Sequence, residues 1–287
     1  MANIASAGCQ LIENQSFSGE RSLFARRDLK VVKCTFLEGE SPLKECRNIE
    51  AVDCLFTWKY PFWYGKNLRV EGCTFDNEAH AGIWYSEDSE FSRCIFKEPK
   101  CIRHASSISL VDCRFEQATE TLWWCDHIDG RNLFLKGDYV GLQTVSSTFD
   151  HIEIQGNYPF DGSRDIKITN SILKSKDAFW NSSSITLENC TIDGEYFGWN
   201  SKDITLRHCL IRSHQGFCYM SGITLIDCTI DNSDLTFEYS SGCDVQISSG
   251  VLDLKNPISG KFSAPAYKGI LLDSPRVKKD ELTIVKR

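Results

Sequence analysis

No stretch of the 287-residue sequence approaches the roughly 18 consecutive apolar residues that span a bilayer, which excludes a transmembrane helix. The opening residues MANIASAGCQ hold neither a basic segment nor an apolar one, so they do not read as a secretory signal. Ser6-Ala7-Gly8-Cys9 has the outline of a lipoprotein cleavage box, but the hydrophobic run that such a box follows is missing. Basic residues are in deficit: 32 Lys and Arg stand against 39 Asp and Glu, a formal net charge of −7. Neutralising phosphates needs clustered Lys and Arg, so neither nucleic acid nor an anionic membrane is an expected partner. There is no CxxC pair, no G-x-S-x-G and no phosphate-cradling glycine loop, so no metal, cofactor or serine nucleophile is expected.

What is present is a repeat. Residues 185–192 read ITLENCTI, residues 204–211 read ITLRHCLI and residues 223–230 read ITLIDCTI, a period of 19 residues. A fixed period of this size marks a solenoid, whose stacked coils share one elongated core. The phrase starts at Leu29, Ile49, Leu68, Ser89, Ile108, Ile128, Ser147, Ile166, Ile185, Ile204, Ile223 and Val245, which gives about 12 coils of 19–22 residues. In each, the first, third, sixth and eighth positions are mostly apolar, as in Leu68, Val70, Cys73 and Phe75. Two period-two pairs separated by a polar pair predict two short strands joined by a bend.

A third apolar slot lies six residues before each phrase, as in Phe62, Ile83, Ile102, Leu122, Phe160, Phe179 and Phe217. Three short strands per coil are therefore expected, in an all-β, right-handed parallel β-helix. A leucine-rich repeat would want Leu three residues before the phrase, where this chain has Gly65, Ser86, Ala105, Cys125, Ser163, Ser182 and Ser201. Hexapeptide and pentapeptide helices need periods of six and five, which do not divide the pattern. One domain over residues 1–287 is expected: a cap over 1–28, regular coils over 29–255, then an irregular last coil and a C-terminal cap over 256–287. The Lys-rich tail after Pro275 is expected to cross the open end of the core. Of the fourteen cysteines, Cys34, Cys54, Cys73, Cys94, Cys113, Cys190, Cys209 and Cys228 share one inward slot, which predicts packed thiols and a reducing, cytoplasmic setting.

The segments LEGESPLKEC (37–46), SKDAFWN (175–181), GEYFGWN (194–200) and NPISG (256–260) resemble the motifs of a bacterial family described only as a domain of unknown function, placed in the pectate-lyase-like β-helix superfamily. The resemblance covers nearly the whole chain. It implies the fold and brings no activity. Pectate lyases, similar in fold, use clustered Asp for calcium and an Arg as base. Polygalacturonases use N-T-D, D-D, G-H-G and R-I-K, and none of these sets is present.

Two outward columns carry the candidate chemistry. One, five residues before each phrase, reads Trp63, Trp84, Arg103, Trp123, Leu142, Asp161, Trp180, Trp199 and Cys218. Aromatic faces stack on apolar sugar faces, so these rings with Asp177 form an expected oligosaccharide or polysaccharide surface. The competing reading is that the tryptophans stack on one another and only pack. The second column lies four residues upstream, on the same face by period-two alternation, and includes Lys176, Glu195 and His214 on successive coils. These three are the candidate catalytic residues of a polysaccharide lyase or glycoside hydrolase. The blander reading is a surface charge ladder. The expectation is thus a carbohydrate-binding or carbohydrate-active protein, with a non-enzymatic scaffold for a protein partner as the alternative.

Overall fold

The structure, a computed structural model, describes residues 9–287, so Ser6–Gly8 of the lipoprotein-like box lie outside the described residues. The chain divides into two compact units, Met1–Gly141 and Leu142–Arg287. Each is a parallel β-solenoid, and among the described residues there is no α-helix, only a single 3-10 turn at Lys279–Glu281.

In the first unit, seven strands stack in parallel on one side of the coil, from Gln10–Glu13 through Arg27–Val32 and Arg47–Val52 to Asp126–Lys136. The register is the one the phrase starts define: Leu29 lies against Ile49, and Ile49 against Leu68. The second side consists of two-residue strands such as Thr35–Phe36, Leu55–Phe56 and Thr74–Phe75. Their inward rings form a continuous ladder, Phe17, Phe36, Phe56, Phe75, Phe96 and Phe115, with neighbouring centroids 4.4–5.1 Å apart. That spacing is the rung spacing of a β-sheet, so vertical alignment of like residues and ring stacking are the same geometric fact. The thiols sit at the bend between the two sides. Cys54 and Cys73 each donate to the carbonyl two residues back, at 3.3 Å to Val52 and 3.4 Å to Glu71.

The second unit repeats the plan with eight first-side strands. Ile185, Ile204 and Ile223 are in register, and Cys190, Cys209 and Cys228 are buried. Its second-side strands are longer: Ile172–Lys176, Thr191–Glu195 and Leu210–His214.

Three expectations need correction. First, the solenoid has about 15 turns and not 12. The segment 1–28 holds a full turn, since Gln10–Glu13 pairs with the next rung and Phe17 stacks on Phe36. Gly260–Ala264 and Leu282–Lys286 add two more, so the tail is a paired rung and does not lie across the core. Backbone groups at a sheet edge gain hydrogen bonds by pairing, which outweighs the weak apolar pattern of these segments.

Second, among the described residues the third side is a strand only at Ile83–Trp84 and Ile102–Arg103. Elsewhere alternate residues are left-handed, as at Asp177 (φ 56), Phe179 (φ 62) and Asn181 (φ 54). Their N–H groups bond alternately to the turns on either side: Asp177 to Glu195 O at 2.9 Å, Phe179 to Pro159 O at 2.9 Å, and Asn181 to Trp199 O at 3.1 Å. Alternate residues of this side are thus hydrogen-bonded to neighbouring coils without extended backbone. Third, period-two alternation therefore does not run from Lys176 to Trp180, because a left-handed corner at Asp177 separates them.

The slot that excluded a leucine-rich repeat is a tight inner corner. Ser163, Ser182 and Ser201 are buried there, and Ser182 Oγ donates to Phe160 O at 2.6 Å. A larger side chain would enter the Phe160–Phe179 stack.

Candidate functional site

The second-side strands of the second unit bring Lys176, Glu195 and His214 into one column, with Lys176 beside Glu195 and Glu195 beside His214. Lys176 Nζ lies 2.9 Å from Glu195 Oε2, and the Glu195 carboxylate raises the lysine's pKa. His214 is engaged on its other side, where its Nδ1 is 2.5 Å from Oδ1 of Asp234 in the next turn. The column is thus Lys176, Glu195, His214 and Asp234. A parallel column two residues earlier alternates in sign in the same way, with Lys174, Asp193, Arg212 and Asp231 on successive turns.

Beside His214 the sheet opens into a cleft of about 470 Å³. Ile230, Gly250 and Val251 line part of it, and His214, Asp231, Asp234 and Lys268 supply polar groups. Asp234 could have been found by carrying the column one turn further, across a coil of irregular length. Lys268 could not, since it lies in the last turns, where the repeat phrase is lost.

The corner between the column and the tryptophans is occupied by tyrosines that the sequence reading overlooked. Tyr196 meets Trp199 edge-on at 5.7 Å and His214 at 5.9 Å. Tyr158 contacts Trp180 at 5.8 Å. Asp177 is 6% exposed; burial pushes its carboxyl pKa up, and a hydrogen bond with Tyr158 and the nearby Lys176 charge only partly oppose this. Asp177 is therefore a corner residue with little surface to offer a ligand.

The tryptophan column divides between the units. In the first, Trp63 stacks on Trp84 at 5.7 Å, and the Arg103 guanidinium lies 5.2 Å from the Trp84 ring and 4.1 Å from that of Trp123. Each indole N–H is already used: Trp63 donates to Ala81 O, Trp84 to Lys100 O and Trp123 to Tyr139 O, at 2.5–2.7 Å. Arg103 is 8% exposed and pairs with Glu120 at 2.5 Å. Burial works against the Glu120 charge, but Arg103 and Lys100 outweigh it and hold the carboxyl below the usual carboxylate range.

In the second unit Trp180 stacks on Trp199 at 6.2 Å, and Trp199 donates to Gln215 O at 2.9 Å. The buried Nε1 of Trp180 has no partner. All five indoles are half-buried, with ring faces turned toward neighbouring turns.

A second stack in the first unit is more exposed: Tyr64, Tyr85, His104 and Trp124, at 4.8–5.0 Å and within 11° of parallel. Its faces are again covered by one another, leaving ring edges to solvent. The signal was the residue after each tryptophan slot, where Tyr64, Tyr85, His104 and Trp124 recur.

A model of the family described as "Protein of unknown function (DUF3737)" matches residues 10–285. No curated protein matches the sequence. Among solved structures, a mannuronic-acid-specific polysaccharide family 6 lyase from human gut microbiota is similar at 9% identity, with a TM-score of 0.44, covering 97% of this chain and 83% of that one. A tailspike protein of the E. coli bacteriophage HK620, solved with a hexasaccharide, gives 8% identity, a TM-score of 0.37, and coverage of 91% and 71%. The pentapeptide-repeat protein HetL of the cyanobacterium Nostoc gives 10%, 0.32, and coverage of 81% and 91%. Nothing about this chain's chemistry follows from likenesses at this level.

Proposed function

The chain belongs to the family described as "Protein of unknown function (DUF3737)", and we propose that it is a right-handed parallel β-helix of the pectate-lyase-like kind that binds an oligosaccharide on its second unit. Parallel strands joined by crossovers are overwhelmingly right-handed, which supports the hand. The ligand lies across the Lys176, Glu195, His214 and Asp234 column and enters the cleft beside His214.

The observation that carries this reading is the cleft itself. A cleft where the exposed Val251 stands with His214, Asp231, Asp234 and Lys268 suits a sugar ring, which has apolar faces and a polar rim. The tryptophans stand on the neighbouring side of the coil, beyond the corner at Asp177, and stacking already uses their faces. Trp199 reaches the ligand region through Tyr196.

The test is a glycan array followed by titration calorimetry on any hit. His214→Ala and Lys268→Ala are each expected to weaken binding by about tenfold or more, with thermal unfolding unchanged. An array without hits, or hits indifferent to both substitutions, removes the proposal.

A catalytic reading rests on the 2.5 Å contact between His214 and Asp234, which would fix the imidazole with Nε2 free for proton transfer. Glu195 is committed to Lys176, so it is a positioning residue in this reading. Turnover of a bound oligosaccharide that disappears in His214→Ala and survives in Glu195→Gln is the expected pattern. Unaltered turnover in His214→Ala overturns it.

A further inference from the structure

The last turn of the second unit is unlike the turns beneath it. The outermost strands of the unit belong to two successive turns: Ala266–Leu271 lies over the second half of Cys243–Lys255, and Leu282–Lys286 lies one turn higher, over Gly260–Ala264. Among the described residues nothing pairs with their outer edges. Alternate N–H and C=O groups along such an edge are available to a further strand.

The inward slots of these outermost strands are themselves partly uncovered. Ile270 stands over Leu254, yet Leu254 is 0% exposed and Ile270 is 46% exposed. Ile284 stands over the buried Phe262 and is itself half-buried. Around this edge the charge reverses relative to the whole chain. Residues 260–287 hold seven Lys and Arg against three Asp and Glu, in a protein of net charge −7. Lys255 and Lys278 are paired with Glu238 and Glu281, while Lys261, Lys268, Lys279 and Lys286 have no carboxylate partner among the described residues.

We propose that the Leu282–Lys286 edge docks an extended, acidic polypeptide segment, which adds as one more parallel strand. Its main chain would extend the ladder, alternate aliphatic side chains would cover Ile284, and its carboxylates would meet Lys279 and Lys286. Three alternatives fit less well. The same edge of a second copy carries the same positive charge and is repelled. Hydrocarbon could not satisfy the open backbone groups, which disfavours a lipid surface. Nucleic acid would meet the lysines but leave Ile284 uncovered.

The test uses the full chain and a fluorescent ten-residue peptide alternating Val with Glu. Two controls accompany it: the same peptide with Lys in place of Glu, and one with proline at alternate positions, which cannot form a ladder. Binding by polarisation is expected for the first peptide alone. Hydrogen exchange should slow at 282–286. Lys279→Glu with Lys286→Glu should weaken binding at least about tenfold without changing thermal unfolding. Equal binding of the proline control would show charge attraction only, and would overturn the strand. Binding to phosphatidylserine vesicles or duplex DNA without peptide binding would overturn it in favour of those partners. Because His214→Ala tests oligosaccharide binding without altering Lys279 or Lys286, the two proposals fail independently.

Discussion

Glu98 is the residue that least fits its surroundings. It is fully buried in the first unit, and neither carboxylate oxygen has a hydrogen-bond partner. Burial pushes its pKa well above the carboxylate range; the Cys101 thiol beside it offsets this in part, and Asp76 adds to it. The folded state therefore keeps a proton that the unfolded chain releases above its ordinary pKa of about 4.3. Stability is full below that value and falls as pH rises, by up to about 1.4 kcal/mol per pH unit, until the folded group itself ionises. Urea unfolding across pH 4–8 should show this slope in the wild type and a flatter one in Glu98→Gln. Identical slopes would mean that Glu98 has a partner in solution. This residue was not legible in advance, because a Glu beside Pro99 and Lys100 reads as a solvated turn.

Arg103 poses the opposite case. It occupies a tryptophan slot and serves as a fourth ring, sandwiched between Trp84 and Trp123 and paired with Glu120. Arg103→Ala should cost about 2 kcal/mol in chemical denaturation, through lost packing and an unpaired Glu120. A loss under about 0.5 kcal/mol would return these rings to the role of a ligand surface. The column was legible from spacing. Whether its faces were covered was not, since that depends on ring orientation and on where each indole N–H finds an acceptor.

At the scale of the rung, two strands and a bend followed from alternation, and the bend's thiol column followed from a single recurring position. The third side did not. Its residues alternate in polarity as a strand does, but their backbone is left-handed at every other position, and polarity alone cannot separate the two. One signal lay in side-chain type. Among the described non-glycine residues with positive φ there is no Val, Ile or Thr, the residues whose branched Cβ tolerates that conformation least. Asn and Asp are frequent there and form their own ladders, as where Asn200 donates to Asn181 at 2.8 Å and Asn181 to Asp161 at 3.0 Å.

Rung spacing also leaves no slack at the bend next to the candidate site. A Cβ on Gly194 would sit 1.7 Å from Ser175 O in the preceding turn. Gly194→Ala should therefore destabilise by roughly 1–3 kcal/mol and, by moving Glu195 away from Lys176, alter oligosaccharide binding as well. Full stability in that variant would show that the second-side strands are looser than described.

At the scale of the whole molecule, the cysteines are the readiest check. Cys9 is partly exposed and all the others are buried. Burial pushes Cys125 and Cys243 up to about 12, so these thiols are poor nucleophiles as well as inaccessible ones. A thiol reagent should label Cys9 alone in the native protein and all fourteen cysteines after denaturation. Rapid native labelling of several more would show that the turns open. The inward placement of the thiols was readable from the sequence because one slot recurs. The first and last turns were not, because their phrases lack the repeated residues and only pairing reveals them.

The in-register alignment of Ile185, Ile204 and Ile223 makes each turn interchangeable with the next. Excising residues 185–203 would bring Ile204 into the place of Ile185 and leave every vertical column continuous. Such a shortened protein should fold, whereas removing half that length should not. Growth and loss in this chain are thus quantised: its length can change by whole storeys, as in a building whose staircases must still meet.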